Sequence, residues 1–173
     1  MNNKIFLIGM MGAGKTSVGV ELSTLIKKPF IDIDDVINAS SYITQNSIED
    51  FRKLEDQTIL KISKDKKKLI ISLGGGSILN QANRYIIKQN YCIYLESSIE
   101  ILISRIMNQD SFRPLIQSKK NGEINIDIFK NLFKERESLY NNLSDFKINT
   151  NNKCISEITH DIRSQLISDE IIN

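Results

Sequence analysis

Short apolar runs alternate with stretches of helical periodicity along the whole chain. Ile5 to Ile8, Leu69 to Leu73 and Tyr91 to Leu95 are nearly uninterrupted, as expected of strands covered on both faces in a parallel sheet. Phe30-Ile31 opens another strand, which ends in Asp32-Ile33-Asp34-Asp35, and Phe146 to Ile148 forms a short fifth. Between these runs the apolar positions recur every three or four residues. Val18, Leu22, Leu25 and Ile26 predict a helix over 15–27, stopped by Pro29, whose ring cannot continue the hydrogen-bond ladder. Ile48, Phe51, Leu54, Ile59 and Ile62 predict a helix over 48–64, with Ser47 and Asp50 in a capping arrangement. Further helices are expected over 78–89, from Ser97 or Ser98 as cap through Met107, over 126–141, and on Ile155, Ile158, Ile162 and Leu166. Val36, Ile37 and Ala39 hint at a short helix that Ser40-Ser41 weakens. Strand and helix alternating in this way predict an α/β layered fold on a parallel sheet.

Ligands of such sheets bind beyond the carboxyl ends of the strands, so the residues there matter most. After the first strand comes Gly9-Met10-Met11-Gly12-Ala13-Gly14-Lys15-Thr16, which fits the phosphate-binding loop G-x-x-x-x-G-K-[ST] in its required setting between strand and helix. Glycines there let backbone N–H groups approach phosphate oxygens, and the helix N-terminus adds positive potential. Lys15 is placed to reach the β- and γ-phosphates, and Thr16 to offer a hydroxyl to Mg²⁺. After the second strand stand Asp32 and Asp34, which strand alternation puts on one side. They suit metal and hydroxyl chemistry, or the capping of the next helix, and Asp34 or Asp35 could do both. After the third strand come Gly74-Gly75-Gly76, costly in backbone entropy unless the chain turns sharply or a ligand approaches the backbone.

Residues 108–122 break the pattern: they are polar, hold Arg113, Pro114 and Gly122, and read as a lid. Arg52 and Glu55 are neighbours on their helix, which at face value is an exposed ion pair worth under ~1 kcal/mol. The 173 residues suit one domain, and a net charge of +2 gives no argument for nucleic acid. The pairs Lys67-Lys68 and Lys119-Lys120 are expected to be solvated. Cys92 and Cys154 are too few for a disulfide framework or a zinc site, and Cys92 is expected in the core. The lone His160 is expected at the surface. The chain starts with Met1-Asn2-Asn3-Lys4 rather than an apolar leader, and no run is long enough to span a bilayer, so the cytoplasm is the expected compartment.

Taken together, the phosphate loop, Asp32-x-Asp34, Phe51-Arg52-x-x-Glu55, Gly74-Gly75-Gly76, Arg113-Pro114-Leu115 and Glu135-Arg136-x-x-Leu139-Tyr140 resemble shikimate kinase in order and approximate spacing over almost the whole chain. That resemblance implies a three-layer α/β/α P-loop kinase fold with a central five-stranded parallel sheet. It implies one kinase domain over 1–173, with a substrate-binding flap at about 33–60 and a lid at about 108–122. The implied reaction is Mg²⁺-dependent transfer of the ATP γ-phosphate to the 3-hydroxyl of shikimate, in the pathway to aromatic amino acids, by a monomer without nucleic-acid or membrane partners. Lys15, Asp34 and Arg113 are then catalytic. Gly12, Ala13, Gly14, Lys15, Thr16, Ser17 and Arg113 bind ATP, and Thr16 with Asp32 binds the metal. Asp34, Arg52, Gly75 and Arg136 bind shikimate, the two arginines gripping its carboxylate.

The chain also departs from that family. The interval from Asp34 to Phe51 is about six residues shorter, and Ser47-Ile48 stand where glycine and glutamate are usual. Arg105, nearest to the family's adenine-stacking arginine, is offset by one, and 149–152 lacks the usual aspartate and proline. Two alternatives remain open on sequence: another small-molecule kinase of this fold, acting on gluconate or a nucleotide, and a nucleotide-binding module without catalysis.

Overall fold

A computed structural model describes residues 4–108, 113–118 and 122–172. The expected strands are present as β1 (Lys4–Ile8), β2 (Phe30–Asp32), β3 (Leu69–Ser72), β4 (Tyr91–Glu96) and β5 (Phe146–Asn149). They form one parallel five-stranded sheet in the order β2-β3-β1-β4-β5. β1, β3 and all of β4 except Glu96 are buried, while the edge strands β2 and β5 are only partly so, as expected of strands with one neighbour. Lys4 opens the central strand in the interior. Its ammonium donates to the carbonyls of Asp65 and Lys67, which joins the start of β1 to the turn before β3.

The helices are α1 (Lys15–Ile26), α2 (Ile33–Val36), α3 (Ala39–Gln45), α4 (Ile48–Ser63), α5 (Gln81–Lys88), α6 (Ile99–Met107), α7 (Ile126–Leu143) and α8 (Ile155–Ser168). α1 ends on Lys27 in a left-handed turn before Pro29. Ser47 caps α4 by accepting the Asp50 N–H, as its sequence suggests. Cys92 is buried and His160 exposed, and Lys67 and Lys68 are solvated. Lys119, Lys120 and the first three residues lie outside the described residues. Among the described residues no helix is long and apolar enough to cross a membrane.

Several expectations need correction. The second strand stops at Asp32, and Asp34 lies in α2 rather than farther along the strand. Neither Asp34 nor Asp35 caps that helix. Asp32 does, its carboxylate accepting the Asp34 N–H at 3.0 Å. The expected helix 78–89 is a 3₁₀ turn (Ser77–Leu79) followed by α5, because Asn80 takes an extended conformation and caps the new helix from there. Ser98 occupies the cap position of α6 without a side-chain capping bond, and Ser97 instead bonds Thr150, just after β5. Ile48, expected on the apolar stripe of α4, is exposed, and the buried stripe is Phe51, Glu55 and Ile59.

Candidate active site

β1 runs through the middle of the sheet, and the chain leaves it toward β2 on one side while β4 lies on the other. The crevice such a reversal opens lies beyond the carboxyl ends of β1 and β3. There the structure has a cleft of about 360 Å³. Its wall includes Gly12, Gly14, Lys15, Thr16, Ser17, Asp32, Asp34, Arg52, Gly75, Arg113 and Arg136. Ala13 is the one ATP-binding candidate absent from that wall: it is buried, and its N–H turns back to the Met10 carbonyl at 3.2 Å.

The phosphate loop is closed by its own lysine. Lys15 Nζ donates to the carbonyls of Gly9 and Met10 at 2.9 and 3.0 Å. Gly12 and Gly14 lie in the left-handed region, and a methyl on Gly12 would crowd Ile106 and the Leu102 carbonyl on α6. Burial holds Lys15 below the ordinary lysine range; the carboxylates of Asp34 and Asp32 pull it back up. Thr16, at the start of α1, donates to Asp32 Oδ2 at 2.6 Å, so a hydroxyl and a carboxylate stand together beside the loop.

The three consecutive glycines after β3 each lie against charged side chains from elsewhere in the chain. A methyl on Gly74 would sit 2.5 Å from Glu55 Oε1 and 2.9 Å from Asp34 Oδ1. At Gly75 it would lie 3.5 Å from Arg136 Nη1, and at Gly76 only 2.1 Å from Arg52 Nη2. Close approach is what the glycine run provides: larger residues at 74 or 76 would displace the carboxylates or the guanidinium.

Arg52 and Glu55 are not an exposed pair. Glu55 is fully buried, bonded to Arg52 Nη1 at 2.5 Å and to the Ser77 hydroxyl at 2.6 Å. The turn of α4 beneath the cleft places Glu55 between Phe51 and Ile59, and the guanidinium it holds also lies 5.1 Å from the Phe51 ring centre. Breaking such a buried pair from one side costs far more than a surface pair is worth.

Arg136 comes from the buried stripe of α7, with Phe129, Tyr140 and Leu143. It is 2% exposed. Its Nε and Nη1 are buried without an acceptor, and no ion pair joins it to a carboxylate among the described residues. Arg136 also lines the cleft, and a permanent cation there with unsatisfied donors suits a planar anion such as a carboxylate.

Burial pushes Asp34 up to about 6; Lys15 opposes the rise, and Asp32 and Glu55 add to it. The folded carboxyl therefore keeps its proton to higher pH than an unfolded one. Between about pH 4 and 6 the folded state binds more protons, so stability from this position falls as pH rises through that window. Relative to Asp34→Asn, the wild-type protein should lose about 2–3 kcal/mol between pH 4 and 7. Urea unfolding at both pH values measures this, and a difference independent of pH would reject it.

The lid candidate is described in part: residues 109–112 and 119–121 lie outside the described residues. Arg113 is half-buried at the cleft, and burial lowers its pKa. The turn after it is anchored by buried Ile116 and by the Arg113 N–H, which donates to Gln117 Oε1 at 2.8 Å. The flap candidate at about 33–60 spans α2, α3 and most of α4, and its residues Ala39, Ser40 and Ile43 line the cleft. Arg105 donates to the Thr150 carbonyl at 2.8 Å, to hydroxyls of Thr150 and Ser97, and at 3.5 Å to the Gly12 carbonyl. It ties the loop after β5 to the phosphate loop.

A family model described as shikimate kinase matches residues 11–167. The chain belongs to the shikimate kinase family. A shikimate kinase of Francisella tularensis subsp. novicida is 33% identical, over 97% of each chain. A solved shikimate kinase from Acinetobacter baumannii, in complex with shikimate, is 28% identical with a TM-score of 0.85, over 98% of this chain and 95% of the other. A gluconokinase from Sinorhizobium meliloti shares the fold at 15% identity and a TM-score of 0.58, over 91% and 87%. Members of this family are ATP-dependent phosphotransferases, and this kinase has their α/β fold and P-loop.

Sequence reasoning gave no role to Glu55, Ser77 or Tyr140. Glu55 and Tyr140 stood in quoted motifs, and the signal was a polar residue on the buried face of a helix. Ser77 carried no such signal, because its partner comes from α4.

Proposed function

We propose that this kinase transfers the γ-phosphoryl group of ATP to the 3-hydroxyl of shikimate, as one cytoplasmic kinase domain acting as a monomer. The observation that carries the acceptor assignment is the pair of arginines at the glycine run, Arg136 with two open buried donors and Arg52 held by Glu55. Shikimate carries one carboxylate on a ring with three hydroxyls. Two guanidinium groups match the carboxylate, and Asp34 and the Gly75 backbone match hydroxyls.

In this reading, the loop N–H groups and Lys15 hold the triphosphate, and Arg113 closes over it from the lid. Thr16 and Asp32 fit Mg²⁺, which binds through one or two protein oxygens plus substrate phosphates and water; among the described residues no cluster of three or more acidic, His or Cys ligands competes for that role. Bound with ATP, Mg²⁺ neutralises phosphate charge. Asp34, the carboxyl with the raised pKa, accepts a hydrogen bond from the attacking hydroxyl and helps remove its proton. Positioning and positive charge supply most of the acceleration in phosphoryl transfer, and Lys15 and Arg113 bring that charge to the cleft.

ATP consumption assayed separately with shikimate, gluconate and a nucleoside monophosphate tests the acceptor. Turnover is expected with shikimate. Turnover with gluconate alone would give the site to the second reading, and none with any acceptor would favour a binding module.

A further inference from the structure

Tyr140 has no place in the transfer chemistry, yet it is fully buried at the seam between the glycine run and the phosphate loop. Its hydroxyl donates to the Gly75 carbonyl at 2.5 Å and lies 3.7 Å from the Met10 sulfur. Its ring stacks on Tyr94 of β4, with centres 5.2 Å apart and planes at 23°, so it has little room to swing. Burial raises the phenol's pKa, which keeps it a neutral donor. On α7 it stands one turn after Arg136, the separation at which helical side chains are neighbours.

Those contacts have a geometric consequence. The Gly75 carbonyl and the Gly76 N–H belong to one planar trans peptide and point in opposite directions. With the carbonyl fixed toward α7, the Gly76 N–H is turned away from that helix. Glycines on both sides would otherwise let this peptide rotate freely. Among the described residues neither the Gly75 nor the Gly76 N–H donates to a protein acceptor.

We propose that Tyr140 is a positioning residue for the acceptor: its hydroxyl fixes the Gly75–Gly76 peptide and sets its spacing from the Arg136 guanidinium, so that backbone donors and arginine meet one hydroxylated acid together. The proposal rests on the acceptor reading above. It assigns Tyr140 to acceptor binding and leaves nucleotide binding to the phosphate loop.

Tyr140→Phe keeps the ring and its stacking and removes only the hydroxyl. The expected result is a shikimate KM raised about five- to tenfold, from a lost hydrogen bond and an unsatisfied carbonyl, with kcat and the ATP KM within about twofold. In ¹⁵N–¹H spectra of the nucleotide-free protein, the Gly75 and Gly76 amides should shift while Gly14 and Thr16 stay in place. Tyr91→Phe is the control. It removes a hydroxyl bonded to Asp169, far from the cleft, and should lower stability without changing the KM ratio. Equal changes in both KM values, a change in kcat alone, or unmoved Gly75 and Gly76 amides would overturn the proposal. The two arms fail separately: unmoved amides would overturn the hold of Tyr140 on the peptide, whereas a wild-type enzyme that does not use shikimate would overturn the acceptor reading.

Discussion

Lys15→Ala is expected to lower kcat about a thousandfold or more while the protein stays folded. Both halves follow from where the lysine sits. Its ammonium bridges the Gly9 and Met10 carbonyls at the centre of the loop, beside Asp34 and within the field of Arg113 and Arg136. Phosphoryl transfer requires fixed positive charge on the moving group, and solvent cannot replace it inside a cleft. The fold depends on this residue far less. Burial already disfavours its charged form, so removal relieves a desolvation cost while giving up two hydrogen bonds. Far-UV circular dichroism and a thermal melt should therefore resemble wild type as turnover vanishes. A collapsed melting transition would make Lys15 a structural residue, and retained turnover would remove it from the chemistry.

What the sequence made legible divides along physical lines. β1, β3 and β4 were readable because strands covered on both faces must be apolar at nearly every position. The phosphate loop was readable because close approach to phosphate admits few residue types. Alternation alone carries β2 one residue pair too far, because Asp32 caps α2 and a cap is a local hydrogen bond that periodicity does not register. Glu55 looked like half of a surface pair because spacing says which residues are neighbours on a helix, and not what covers them. The cover here is Ser77 and Gly74, from beyond β3. Arg105 illustrates the same limit. The family resemblance makes it the nearest candidate for an adenine-stacking arginine, offset by one, and spacing alone does not announce its bonds to Thr150 and Gly12, partners far away in sequence.

Arg136→Met should produce two opposite effects. The first is on the acceptor. Losing a desolvated guanidinium–carboxylate contact costs about 2–5 kcal/mol, so the shikimate KM should rise on the order of thirtyfold or more while the ATP KM changes little. The second is on stability. In the free protein Arg136 is a buried cation with two open donors and no carboxylate partner among the described residues, on the same helical stripe as Phe129, Tyr140 and Leu143. A methionine of similar length fills that position without the desolvation cost, so the melting temperature should hold or rise. Steady-state kinetics and calorimetry on the same preparation test both. A weaker acceptor with a lower melting temperature would mean the side chain is a structural tie, its effect on binding secondary. A weaker acceptor with an unchanged or higher one means the fold tolerates a buried, unsatisfied charge because an anion from outside completes it.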